Sequence, residues 1–123
     1  MSTENPVIGL LGIGEMGGNM ARELTKVGFR VVSVLAGRSK ESVGRAKDAG
    51  IEDTADLKDL VAACDILFSV LPPSAAEEEA RAVADCLNDS PKQLVFVEGN
   101  AISPVLVREI ADLFDGTPVT FID

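Results

Sequence analysis

Gly12, Gly14 and Gly17 fall at the spacing Gly-x-Gly-x-x-Gly, directly after the apolar run Val7-Ile8-Gly9-Leu10-Leu11. Behind them Met16, Met20, Leu24 and Val27 recur at helical spacing, which predicts one apolar helix face. The stretch therefore reads as a strand, a tight glycine turn and a helix. In such a unit Gly12 makes the turn, Gly14 lets the backbone approach a pyrophosphate, and Gly17 lets the helix lie close to the strand. The chemistry this offers is anion binding. The first amides of a helix have no intrahelical partner and lie at the positive end of its dipole, so the Ile13, Gly14, Glu15 and Met16 amides are candidates to hold two phosphates. The Glu15 carboxylate is expected to point to solvent, because it would repel them.

A second group with chemistry lies about 20 residues further on. An unmodified ribose is normally held there by Asp or Glu at the end of the second strand. This chain has Ala36-Gly37-Arg38-Ser39-Lys40 instead. Arg38 can fork onto a 2′-phosphate or stack on adenine, Ser39 can donate a hydrogen bond, and Lys40 adds a point charge. Ser39 can equally cap the next helix. The absent acid and the present arginine together favour NADP over NAD.

These groups need a scaffold, and the remaining pattern supplies one. Helix 16–27 is expected to stop at Gly28, with Lys26 in its last turn. A strand is expected at 30–35, a helix capped by Ser39 and ending at Gly50, and a short strand near 51–53. A helix at 55–63, capped by Thr54 or Asp56, leads to Ile66-Leu67-Phe68-Ser69-Val70-Leu71, apolar on both faces as buried parallel strands are. Pro72-Pro73 ends that strand. Ser74-Ala75-Ala76-Glu77 has the spacing of a capping box opening a helix that ends near Leu87, with Glu77-Glu78-Glu79 in its first turn. Leu94–Glu98 is a fifth strand, Ser103-Pro104 starts a helix running to about Phe114, and Val119–Ile122 is a sixth strand. Regular alternation of strand and helix implies an α/β fold: a doubly wound parallel sheet between two helix layers, order 3-2-1-4-5-6.

Composition narrows the classes further. The chain has 123 residues, 46% of them hydrophobic, enough for one domain with its own core. Net charge of −9 argues against nucleic acid as a partner, and no apolar run suits a membrane. The charge is uneven: residues 1–50 carry seven Lys/Arg against five Asp/Glu, and residues 51–123 carry four against fifteen. The mildly basic part is the one with the glycine turn, as an anionic ligand requires. With no histidine there is no His-dependent triad or His-ligated metal in this chain. Cys64 and Cys86 lack the spacing of a disulfide framework or metal knuckle and are expected to be buried, reduced thiols. The polar start Met1-Ser2-Thr3-Glu4-Asn5 lacks the pattern of a secretory signal, so the cytoplasm is the expected location.

Leu11-Gly12-Ile13-Gly14-Glu15-Met16-Gly17-Gly18-Asn19-Met20-Ala21 closely resembles the G-L-G-x-M-G-x-x-M-A signature of the β-hydroxyacid dehydrogenases, the group of 3-hydroxyisobutyrate, 6-phosphogluconate and glyoxylate/succinic semialdehyde reductases. Gly37-Arg38-Ser39 is similar to the Asn-Arg-Thr/Ser turn of the NADP-preferring members. Val70-Leu71-Pro72 is similar to their Met-Leu-Pro strand end, which lines the cofactor. The resemblance covers nearly the whole chain and implies a Rossmann-type NAD(P)-binding domain over residues 1–123. It departs at Ile13 for Leu, and at Glu23, where the longer signature has Asn. At the substrate side, Glu98-Gly99-Asn100-Ala101-Ile102-Ser103-Pro104 stands where the hydroxyisobutyrate branch has Asp-x-Ser-Thr-x-x-Pro, and Glu-Gly-Asn is similar to the Asp-Gly-Gly-Asn of 6-phosphogluconate dehydrogenases. An Asn100 amide there would bond a substrate hydroxyl or carboxylate and the nicotinamide amide together.

The resemblance implies hydride transfer between NADP(H) and a small hydroxy acid or aldehyde/keto compound. The family's catalytic lysine belongs to a following helical domain, expected outside these 123 residues; none of the five lysines here matches it, so no catalytic residue is assigned. The chain is expected to bind cofactor without turnover. Exposed apolar surface near the sixth strand and the Asn100 loop would favour a homo-oligomer. Two alternatives stay open: imine reductases resemble the same N-terminal half, and a non-catalytic nucleotide-sensing domain would use the same fold.

Overall fold

The computed structural model describes residues 5–100 and 103–123. Met1–Glu4 of the polar start and Ala101-Ile102 of the substrate-side loop lie outside the described residues. The chain alternates β1 (Ile8–Leu11), α1 (Glu15–Lys26), β2 (Val31–Val34), α2 (Lys40–Asp48), β3 (Glu52–Thr54) and α3 (Leu57–Ala63). It continues with β4 (Ile66–Ser69), α4 (Pro73–Asp89), β5 (Leu94–Glu98), α5 (Pro104–Asp112) and β6 (Val119–Ile122). The six strands form one parallel sheet in the order β3-β2-β1-β4-β5-β6. This is the expected doubly wound arrangement.

Two apolar layers flank the sheet, because alternate strand residues point to opposite faces. Ile8, Leu10, Val31 and Leu35 pack with Ala21, Ala46 and Ala49 of the α1/α2 side. Leu11, Leu67, Leu94 and Phe96 pack on the other side with α3, α4 and α5 through Leu60, Val83, Leu87 and Ile110. Helix α4 buries Ala76, Ala80, Val83, Ala84 and Leu87, a helical stripe of mostly small residues that lets it lie close to the strands. Phe96 anchors that side, its ring 4.8 Å from Phe114 and 5.9 Å from Phe121.

Some local expectations are corrected. Met16 and Val27 of the predicted apolar face are 70% and 68% exposed. The buried residues of α1 are Gly17, Gly18 and Ala21, because the helix approaches the sheet on its smallest side chains, leaving Met20 and Leu24 at the margin. The capping box at Ser74 does not form. Helix α4 begins at Pro73, with Pro72 at the N-cap and no side-chain cap, so Ser74 lies inside the first turn and Glu77 to Glu79 beyond it. A proline at the first helical position has its φ preset and no amide to satisfy, which starts the helix two residues early. The helix also runs on to Asp89. Elsewhere caps fall as expected: Ser39 accepts from the Ser42 amide, Asp56 from Asp59, and Ser103 from Leu106.

The order reverses between β1 and β4: the chain leaves β1 for one edge and β4 for the other. That leaves a crevice beyond the C-terminal ends of these two strands, the place where ligands lie in open α/β sheets.

Candidate functional site

The turn after β1 fills the near side of this crevice. Gly12 has φ +89, and a Cβ there would sit 2.1 Å from the Val70 carbonyl oxygen, so no other residue fits without moving the backbone. A Cβ on Gly17 would lie 2.8 Å from the Gly12 carbonyl oxygen and 3.6 Å from Leu10 Cδ2, which is how closely α1 rests on the strand. Gly14 is different: a Cβ there meets nothing within 4 Å. Its missing side chain leaves open space rather than relieving a contact. Gly14 is also the N-cap of α1 and supplies no side-chain cap, so the first amides of the helix are left for a ligand.

A cavity of about 440 Å³ lies over the turn. It brings together ten of the sequence-predicted residues: Gly12, Ile13, Gly14, Glu15, Met16, Gly17, Arg38, Leu71, Pro72 and Asn100. Ser39 and Lys40 do not line it. The Ser39 hydroxyl is occupied as the α2 cap, accepting from the Ser42 amide and donating to Ser42 Oγ, both at 3.1 Å. Lys40 is the exposed first residue of α2. Ser42, three residues beyond the cap, lines the cavity in their place. Glu15 is exposed, as its charge demands.

A second cavity of about 390 Å³ continues past the ends of β1 and β2 toward α3 and α4, and Arg38 lines both. Arg38 is exposed and forms no ion pair among the described residues. A turn closed by its amide on the Leu35 carbonyl at 3.1 Å carries it to this junction. The sequence reading missed one carboxylate near the β2 end: Asp53 of β3, whose Oδ1 accepts from the Leu35 amide at 2.9 Å. That acid is engaged with backbone and lines neither cavity.

The far wall is the Asn100 loop. Asn100 Oδ1 accepts from the Leu71 amide at 2.5 Å, and its Nδ2 donates to Ser69 Oγ at 3.1 Å and to Glu98 Oε1. Both amide protons are thereby used, and one acceptor lone pair remains for a ligand. For the Asn100 amide to bond a substrate and the nicotinamide amide together, as the sequence led us to expect, it would have to give up one of these partners. Glu98 is buried, 3% exposed, and its Oε2 has no partner among the described residues. Burial pushes its carboxyl above the ordinary carboxylate range, with the Asp123 charge adding to the rise and hydrogen bonds from Asn100 opposing it. Neither Glu98 nor Ser69 was singled out from sequence for this role; the signal available was a lone acid closing an otherwise apolar strand.

Arg45 was also missed. From α2 it crosses Gly18 and donates from Nη1 to the Ile13 carbonyl at 2.8 Å. The cysteines are free, with Cys64 buried and its thiol pushed up to about 11 by desolvation. No cluster of three or more potential metal ligands occurs among the described residues, and no helix there is long and apolar enough to cross a membrane.

Known proteins share this organisation. The mitochondrial 3-hydroxyisobutyrate dehydrogenase of Drosophila melanogaster is 29% identical over all of this chain and 38% of its own length. The Bos taurus enzyme of the same name is 28% identical, over all of this chain and 36% of its own length. The chain thus spans less than two fifths of these curated relatives. Among solved structures, a conserved protein of unknown function, described as structurally similar to 3-hydroxyacid dehydrogenases, superposes with a TM-score of 0.82. It is 29% identical, over 94% of this chain and 42% of that one. The family described as the NAD binding domain of 6-phosphogluconate dehydrogenase matches residues 7–123, nearly the full length, and the chain belongs to that family.

Proposed function

We propose that this chain is the NADP-binding part of a 3-hydroxyacid dehydrogenase-like oxidoreductase. The observation that carries the reading is one cavity in which the uncapped start of α1 and Arg38, which has no ion pair among the described residues, face the same space. The fit is both steric and electrostatic. Gly14 leaves room for a pyrophosphate, the amides of residues 13–17 supply donors, and Arg38 offers a planar cation where a 2′-phosphate would lie. Asp53, the acid that could instead hold a free ribose hydroxyl, is engaged with the Leu35 amide. Ser42 takes the hydroxyl role that the cap at Ser39 leaves aside, and Lys40 contributes only general positive potential. Leu71 and Pro72 form the apolar wall toward the nicotinamide ribose.

When bound, the cofactor supplies hydride chemistry; the chain's own residues bind and orient it. Nothing among the described residues offers a proton donor suited to a small carbonyl or hydroxyl substrate beside that cavity. We assign the proton-transfer group and most substrate contacts to the remainder of a longer protein of the relatives' length, with cofactor binding but no turnover in this chain alone. The free thiols suit a reducing compartment such as the cytosol.

Calorimetric titration of the chain with NADPH and NADH, repeated for Arg38→Ala, tests the proposal. Tighter binding of NADPH, with a preference of about tenfold or more that disappears in Arg38→Ala, is the expected result. Equal affinities in the unaltered chain would remove the NADP assignment, and no binding of either at millimolar concentration would remove the cofactor reading.

A further inference from the structure

We infer that Arg45 is a positioning residue for the pyrophosphate turn, holding the Ile13–Gly14 peptide with its amide aimed at the phosphates; this rests on the cofactor reading above. Arg45 stands near the end of α2, thirty-two residues from the carbonyl it bonds. It reaches that carbonyl by crossing α1 at Gly18. A Cβ on Gly18 would lie 2.8 Å from Arg45 Cδ and 2.9 Å from Cγ, so the aliphatic stem occupies the space the glycine vacates. Nothing in the turn itself calls for a fourth glycine after Gly17. The crossing arginine accounts for it.

The bond has a directional consequence. In a trans peptide the carbonyl and the amide of one unit point opposite ways. With the Ile13 oxygen held on the Arg45 side at 2.8 Å, the Gly14 amide is turned away from α2, and both residues line the cavity. A flipped peptide would present a carbonyl oxygen to the phosphates, and the flexible sequence Gly12-Ile13-Gly14 offers little local resistance to such a flip. A half-buried guanidinium on the carbonyl does resist it. The three ion pairs among the described residues, Lys26–Glu23, Arg30–Glu52 and Arg81–Glu77, leave Arg45 without a carboxylate. Its positive charge therefore adds to the potential at the turn. Because α2 begins beside the Arg38 loop and carries Arg45 in its last turn, one helix links the two phosphate-reading regions.

The test compares the unaltered chain with Arg45→Met, Arg45→Lys, Gly18→Ala and the Gly18→Ala/Arg45→Met double variant. NADPH affinity is read by calorimetry. The affinity of 2′-AMP, which lacks the pyrophosphate, is read by NMR titration. Arg45→Met is expected to weaken NADPH about tenfold or more while leaving 2′-AMP within about twofold, and Arg45→Lys, which keeps a charged donor, to recover part of the loss. Gly18→Ala is expected to mimic Arg45→Met by displacing the stem, although alanine is the better helix former, and the double variant to be no worse than either single one. NADPH binding within twofold of the unaltered chain in Arg45→Met, equal losses for both ligands, or additive losses in the double variant would each overturn the inference. An unaltered chain that binds no dinucleotide would instead overturn the cofactor reading, and this inference with it.

Discussion

The side-chain oxygen of Asn100 accepts a hydrogen bond from the Leu71 amide at 2.5 Å, tying the loop after β5 to the segment that leaves β4. The other end of the same amide donates to Ser69 and Glu98. One side chain therefore ties β4 and the segment leaving it to the end of β5. Asn100→Ala is expected to destabilise the chain by roughly 2 kcal/mol, since it leaves the Leu71 amide without its acceptor and takes the side-chain donor away from Glu98 Oε1. Urea denaturation checks this; an unchanged midpoint would mean that water replaces the amide at no cost.

Glu98 supplies the pH dependence. Its carboxyl is raised above 4.5 in the folded chain, chiefly by burial. A group with a raised folded value binds its proton more tightly in the native state, so its contribution favours folding below 4.5 and is lost as pH climbs through the raised value. Glu98→Gln cannot ionise and can still accept from Asn100. The melting temperature of Glu98→Gln relative to the unaltered chain is expected to rise between about pH 4.5 and 7. A constant difference across that range would show that Glu98 titrates normally.

The glycine turn separates a stability effect from a binding effect. Gly12→Ala places a methyl on the Val70 carbonyl at positive φ and is expected to cost roughly 1–3 kcal/mol from the backbone conformation alone, with cofactor binding lost. Gly14→Ala meets no protein atom, so its melting temperature should stay close to that of the unaltered chain while NADPH affinity falls. Paired thermal melts and calorimetry distinguish the two. Retained affinity in Gly14→Ala would move the pyrophosphate off this turn.

Ser39 caps α2, while Ser42 lines the cavity. Ser39→Ala removes the α2 cap and is expected to cost about 1 kcal/mol of stability. Ser42→Ala keeps the backbone amide that the cap uses, and is expected to leave stability nearly unchanged while weakening NADPH more than NADH. Denaturation together with parallel titrations reads both; the reverse pattern would return the phosphate contact to Ser39.

Much of this was legible in the chain itself. Strand and helix order, the parallel sheet, the Ser39 and Ser103 caps and the steric duties of Gly12 and Gly17 follow from periodicity and backbone sterics, which act over a few residues. Met16 and Val27 read as core yet are exposed, because which side of α1 meets the sheet depends on how closely the helix approaches. The start of α4 turned on whether Pro73 would begin the helix or Ser74 would cap it. The remaining decisions are longer in range: Arg45 on the Ile13 carbonyl, Asn100 on the Leu71 amide, and Asp53 on the Leu35 amide, at separations of 32, 29 and 18 residues. The sequence by itself determined the fold and the glycine turn after β1, since both rest on local patterning. Only the tertiary structure decided which polar side chains are free for a ligand and which are engaged with backbone, because hydrogen-bond partners are set by elements that meet only when the sheet is assembled.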